Sequence, residues 1–141
     1  MTTRKPHPAA KKKAPARRRT SPLDRVDLTA ALDEKQYDER MEELQHELRR
    51  LQHLCYRERV PVTIVYEGWD AAGKGGNIRR LLAELDPRGY EVVPIGAPVG
   101  DERTHHYLWR FWRALPKAGH FTVFDRSWYG RVMVERIERF A

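Results

Sequence analysis

Cysteine is nearly absent: Cys55 stands alone in 141 residues, so no disulfide can close within the chain. That usage agrees with a reducing, cytoplasmic setting. Long apolar runs are missing too. Nothing approaches the roughly 20 residues of a membrane-spanning helix, and the amino terminus lacks the apolar stretch of a secretory signal. Acid is the third absence, and it is local. Residues 1–20 hold Arg4, Lys5, Lys11, Lys12, Lys13, Arg17, Arg18 and Arg19 without one Asp or Glu. Those eight taken from 27 basic residues leave 19 against 20 acidic ones, so the net charge of +7 belongs to that end and the rest is near neutral.

Residues 1–22, with Pro6, Pro8, Pro15 and Pro22 and little to bury, read as a disordered basic tail. Such a tail can steer a polyanion toward the body or touch nucleic acid or a membrane surface. A solubilising extension is the plainer alternative, and an organellar transit peptide would be expected to carry more hydroxyl residues. The remaining length allows at most one domain.

What is present is organised around Val62 to Gly76, VTIVYEGWDAAGKGG. Val62 to Tyr66 are β-branched or aromatic almost without interruption, as in a strand covered on both faces of a parallel sheet. A glycine-rich turn follows, and then Ile78, Leu81, Leu82 and Leu85 lie on one face of a helix over Asn77 to Leu85. At such a junction an anion meets free main-chain amides and the positive end of the helix dipole. The candidate phosphate loop comprises Gly68, Ala71, Ala72, Gly73, Gly75 and Gly76, with Lys74 as a mobile charge. Gly68, Gly73 and Lys74 fit the first seven positions of the Walker A pattern GxxxxGK[ST], but Gly75 stands where the hydroxyl belongs. That hydroxyl normally helps hold magnesium, so Asp70 inside the loop is the candidate replacement. A turn that merely joins strand to helix is the alternative.

Upstream, Tyr37, Met41, Leu44, Leu48, Leu51 and Cys55 form one apolar stripe within 33–59, predicting an amphipathic helix packed on the core or in a dimer seam. A homo-oligomer is expected. Downstream, YEVVPI over Tyr90 to Ile95 reads as a second strand, with Pro94 placing its end near an edge or bulge. A helix is predicted from Asp101 to about Leu115, closed by Pro116. Its His105 and His106 point about 100° apart and have no partner at ligand spacing, which argues against a metal site. The neighbouring aromatics read as packing, with base stacking as the lesser alternative. HFTVF, His120 to Phe124, supplies a third strand and delivers Asp125 to its carboxyl end, the edge where ligands sit in open parallel sheets. An apolar strand ending in aspartate reads as Walker B, although Asp125 or Ser127 could instead cap a helix. Arg126 and Arg131 add two guanidiniums able to hold phosphate oxygens, or to form surface salt bridges. A final helix is predicted over Val132 to Phe140. Strand, loop and helix repeated three times imply a P-loop NTPase-like three-layer α/β sandwich with a parallel sheet across 60–141.

GWDAAGKGG at Gly68 to Gly76 together with FDRSWYGR at Phe124 to Arg131 resembles the polyphosphate kinase type 2 family. LDPRGYEVVPI and HYLWRFWRALPKAGH between them are similar to that family as well, and the likeness covers about Glu34 to Ala141. Trp69 and the aromatic segment before Pro116 look most like the branch acting on AMP. The resemblance implies magnesium-dependent, reversible phosphoryl transfer between inorganic polyphosphate and a nucleoside mono- or diphosphate (AMP or ADP), with AMP, ADP and ATP as nucleotide partners and guanine nucleotides as a further class. It implies Asp70 and Asp125 as metal ligands, Lys74 on the transferred group, and Arg126 and Arg131 on the polyphosphate. The family's domain continues past Arg131 with further strands and a mobile basic lid, so residues 60–141 are expected to hold part of a domain, truncated before it is catalytically complete. Two other readings compete: an ATP-dependent small-molecule kinase of the same fold, and an inactive polyanion-binding protein that uses its tail and a relic loop.

Overall fold

The structure, a computed structural model, describes residues 21–27 and 29–137. Residues 1–20 of the tail predicted over 1–22, and residues 138–140 of the last helix predicted over Val132 to Phe140, lie outside them. The chain divides into two units, Met1–Leu32 and Asp33–Ala141. In the first, a 3-10 turn spans Pro22–Arg25, where the Ser21 amide donates to Asp24 Oδ2 at 2.8 Å.

The second unit contains helix α1 (Glu34–Arg57), strand β1 (Val62–Tyr66), helix α2 (Lys74–Leu82), strand β2 (Tyr90–Pro94), the short helix α3 (Trp109–Trp112) and strand β3 (Phe121–Asp125). Among the described residues the sheet is three-stranded, wholly parallel, and ordered β1-β3-β2. Its register sets Tyr66 and Pro94 on either side of Asp125. The parallel α/β reading of the sequence is thus borne out, with one correction. The strand covered on both faces is β3, not β1: Phe121 to Phe124 are all buried, whereas β1 lies at an edge and exposes Thr63. The chain crosses from β1 over to β2 and returns between them, so only β3 gains two neighbours. Pro94 ends β2, the other edge strand, where a missing amide costs no ladder bond. Phe111, Phe124 and Trp128 meet edge to face at 5.7–5.9 Å, closing the core over β3.

Helix α1 forms where the stripe predicts, but it is rolled. Met41, Leu48 and Cys55 are half-buried, whereas Tyr37, Leu44 and Leu51 are exposed. Polar contacts set the roll. Gln45 Nε2 donates to the Arg80 carbonyl at 2.9 Å. Gln52, buried, accepts from the Asp86 amide at 2.8 Å and donates to the Asp86 carbonyl at 3.1 Å. Asp86 caps the turn Pro87–Gly89, and its hydrogen bonds to the Arg88 side chain hold its carboxyl well below the usual range.

Three predicted helices differ. α2 begins inside the loop at Lys74 rather than at Asn77 and stops at Leu82, although Leu85 is still buried. The continuous helix expected over Asp101 to Leu115 is instead a 3-10 turn, Gly100–Arg103, followed by α3. The Asp101 carbonyl accepts from the Thr104 amide at 3.1 Å, the closer three-residue bond of a 3-10 turn, and also meets Thr104 Oγ1 at 2.9 Å and His105 Nδ1 at 2.8 Å, polar side chains competing for the oxygen that an α-helix would pair four residues on. In place of the α-helix expected from Val132, residues Arg131–Glu135 form a wider π turn.

Candidate functional site

The carboxyl rim of the sheet is where the loops converge. Beyond Tyr66 the chain turns through Gly68 (φ +152°), Ala71 (φ +59°) and Gly73 (φ +84°), three residues in backbone regions that L side chains seldom occupy. Gly73 is the residue from which α2 departs, so the first amides of that helix open onto the loop. A Cβ built on Gly75 meets nothing within 4 Å and its φ is ordinary. Packing in this structure therefore does not demand glycine at the position that departs from Walker A.

Lys74 is folded back across the loop, its Nζ donating to the carbonyls of Gly68 at 3.1 Å and Trp69 at 2.9 Å. Trp69 stands at the loop tip, 89% exposed. Tyr66 donates its hydroxyl to Asn77 Oδ1 at 2.9 Å, tying β1 to α2. Partial burial pushes its phenol up, so it stays a donor at neutral pH.

Across from the loop, β3 ends in Asp125. Its carbonyl accepts from Ile95 and its neighbour Arg126 donates its amide to Tyr66, so the strand is held from both sides. Asp125 Oδ1 is buried and has no hydrogen-bond partner among the described residues. A buried carboxylate oxygen without a donor calls for an ion or water. Magnesium takes few protein ligands, one or two carboxylates beside phosphate oxygens and waters, so Asp125 with a second carboxylate from the loop suits it. Among the described residues no group of three or more His, Cys, Asp or Glu could hold a metal by itself.

Asp70 and Asp125 lie on the same rim. Arg126 links the two segments, its Nη2 reaching Asp70 Oδ1 at 3.4 Å, with both side chains largely exposed. Such a pair contributes little stability and both groups are free to rearrange. Arg131, which sequence grouped with Arg126, is placed differently. Its Nη1 donates to Glu135 Oε2 at 2.6 Å, and its guanidinium rests 5.4 Å from the Tyr107 ring centroid. Glu135 stands four residues along the same turn, in reach of that arginine.

One residue at the rim was not singled out from sequence. Glu67, between Tyr66 and Gly68, accepts at Oε1 from the Ser127 hydroxyl at 2.5 Å. Nothing local in the sequence signals it, because its partner lies 60 positions away. A cleft of about 370 Å³ beside Gln52, Tyr56, Arg88 and His120 lies on the opposite rim, at the amino ends of β2 and β3.

Residues 31–141 match the family model of Polyphosphate kinase 2. A polyphosphate:AMP phosphotransferase of Pseudomonas syringae is 53% identical over 121 residues, covering 84% of this chain and 24% of that protein. A GDP-polyphosphate phosphotransferase of Mycolicibacterium smegmatis is 46% identical over 101 residues, covering 72% of this chain and 36% of that protein. Among solved structures, a polyphosphate kinase 2 from Arthrobacter aurescens superposes with a TM-score of 0.74 at 28% identity, over 84% of this chain and 45% of that one. The chain thus spans between about a quarter and a half of the length of these relatives. No helix among the described residues is long and apolar enough to cross a membrane.

Proposed function

The chain belongs to the polyphosphate kinase 2 family, and from that membership we propose that its sheet rim binds phosphate chains and serves phosphoryl transfer between inorganic polyphosphate and a nucleoside mono- or diphosphate. The observation that carries this reading is Asp125, a half-buried carboxylate with one buried, unsatisfied oxygen on the rim that also holds the glycine-rich loop.

Asp125 and Asp70 are the residues that would hold magnesium. When bound, the metal neutralises phosphoryl oxygens and aligns donor with acceptor. The protein's own groups do the rest by position and charge. Amides at the start of α2 and in the Gly68 to Gly76 loop cradle the phosphates. Lys74 exchanges the Gly68 and Trp69 carbonyls for an oxygen of the transferred group, and a charge placed there before the reaction lowers the barrier most. Arg126 turns from Asp70 to polyphosphate, and Arg131 joins it by leaving Glu135. AMP and ADP are the proposed acceptors, with ATP as product or reverse donor and guanine nucleotides as a further class. The lone Cys55 suits a cytoplasmic setting, and the exposed Leu44 and Leu51 of α1 suit self-association.

The test supplies polyphosphate, magnesium and AMP or ADP to the domain completed past residue 141 with a family relative's carboxyl-terminal segment, and ATP with candidate small-molecule acceptors in parallel. Transfer from polyphosphate is expected, with Lys74→Ala and Asp125→Asn lowering the rate at least about a hundredfold. Transfer from ATP alone would favour the small-molecule kinase, and unchanged rates in both variants would refute the site.

A further inference from the structure

The two segments that bear the site leave the sheet together. Their backbone ladder ends where Tyr66 faces Asp125 and the Arg126 amide donates to the Tyr66 carbonyl at 2.9 Å. Past that point no strand pairing holds the phosphate loop against the segment after Asp125. The next link is made by side chains. The Ser127 hydroxyl, only 3% exposed, donates to Glu67 Oε1 at 2.5 Å and accepts from the Tyr129 amide at 3.2 Å. An O–H donor on a carboxylate at that length is a charge-assisted bond, of the stronger class.

Its location gives the bond a particular leverage. Glu67 immediately precedes Gly68, the first loop residue, and Ser127 follows Asp125 by two. Between Asp125 and Ser127 the chain passes through Arg126 at φ +70°, a left-handed conformation that a non-glycine residue adopts only when its surroundings impose it. That turn brings Ser127 inward to Glu67 while the Arg126 side chain faces outward to Asp70. Released from Glu67, the segment loses what opposes relaxation of Arg126, and the separation of Asp125 from the loop is no longer fixed.

We propose that Glu67 and Ser127 are a pair of positioning residues that set the spacing between the phosphate loop and Asp125 before any phosphate arrives. The inference rests on the proposed phosphate site and adds to it two residues that touch neither phosphate nor metal.

The experiment compares Glu67→Ala, Glu67→Gln, Ser127→Ala and the double alanine variant in the full chain. Two readouts are taken: amide hydrogen exchange over residues 66–76 and 125–131 without ligand, and affinity for magnesium tripolyphosphate by calorimetry. Either alanine variant should speed exchange in both segments and weaken binding about tenfold, since small misplacements at a preorganised site are costly. Glu67→Gln, whose amide oxygen still accepts from Ser127, should bind within about threefold of the unsubstituted chain. The double variant should be no worse than the poorer single one, as expected of two halves of one bond. Faster exchange confined to the substituted segment, additive losses, or Glu67→Gln as weak as Glu67→Ala would each overturn the pairing. If buried Ser127→Ala fails to fold, the two Glu67 variants, at a half-exposed side chain, decide alone. An unsubstituted chain that does not bind tripolyphosphate tells against the phosphate site, while exchange, measured without ligand, still judges the pair.

Discussion

Gly75 separates what the fold needs from what the ligand needs. It sits in the first turn of α2, where glycine is a poor helix former, and a Cβ there has open space. Gly75→Ala should therefore stabilise the chain by about 0.5–1 kcal/mol, seen as a raised midpoint in urea. Phosphates that approach the loop amides would meet the added methyl, so affinity for tripolyphosphate should fall in the same variant. Stability and affinity rising together would mean that no phosphate comes near this turn. The places of Gly68, Asp70, Gly73, Lys74 and Asp125 on the rim were legible in the sequence because each follows from a local pattern: strand, glycine turn, lysine, and a second apolar strand ending in acid. Glu67 was not, since a glutamate after a strand looks like any surface acid until the register of β1 against β3 brings Ser127 to it. The pairing of Arg131 with Glu135 escaped for another reason. An arginine and a glutamate four residues apart can meet on any helical turn, but the sequence offered Arg131 equally to phosphate oxygens, and spacing does not decide between the two.

At the level of elements, strand identity came through and helix detail did not. All three strands lie within a residue of their predicted bounds because buried β-branched and aromatic runs have few other uses. The roll of α1 was hidden in two glutamines, which periodicity counts as solvent-facing, yet Gln52 is among the most buried residues of the chain. The docking of α1 also depends on Gly119, just before β3. A Cβ there would lie 3.0 Å from both Tyr56 Cα and the Tyr56 carbonyl oxygen, at φ +79°. Backbone cannot give way as a flexible side chain can, so Gly119→Ala should destabilise by about 1–3 kcal/mol. Gly96→Ala, where a Cβ meets nothing, serves as the control and should stay close to the unsubstituted chain. Urea unfolding of the two checks this, and equal midpoints would show that α1 does not rest on the entry to β3.

Across the whole molecule, charge is divided between two places that a polyanion would meet in different ways. The basic residues of the first 20 positions attract through solvent over a distance set by salt, about 30 Å at 0.01 M and 3 Å at 1 M. The proposed phosphate loop would attract at contact, through amides and one lysine. Deleting residues 1–20 should thus weaken polyphosphate binding strongly at low salt and little at high salt, flattening the dependence of affinity on ionic strength. Lys74→Ala should weaken it at both, because a charge at van der Waals distance is screened much less. Fluorescence titrations with long-chain polyphosphate at two salt concentrations distinguish the cases. If the deletion abolished binding at high salt while Lys74→Ala left it intact, the tail rather than the sheet rim would be the binding element, and the chain would be a polyanion binder built on a family fold.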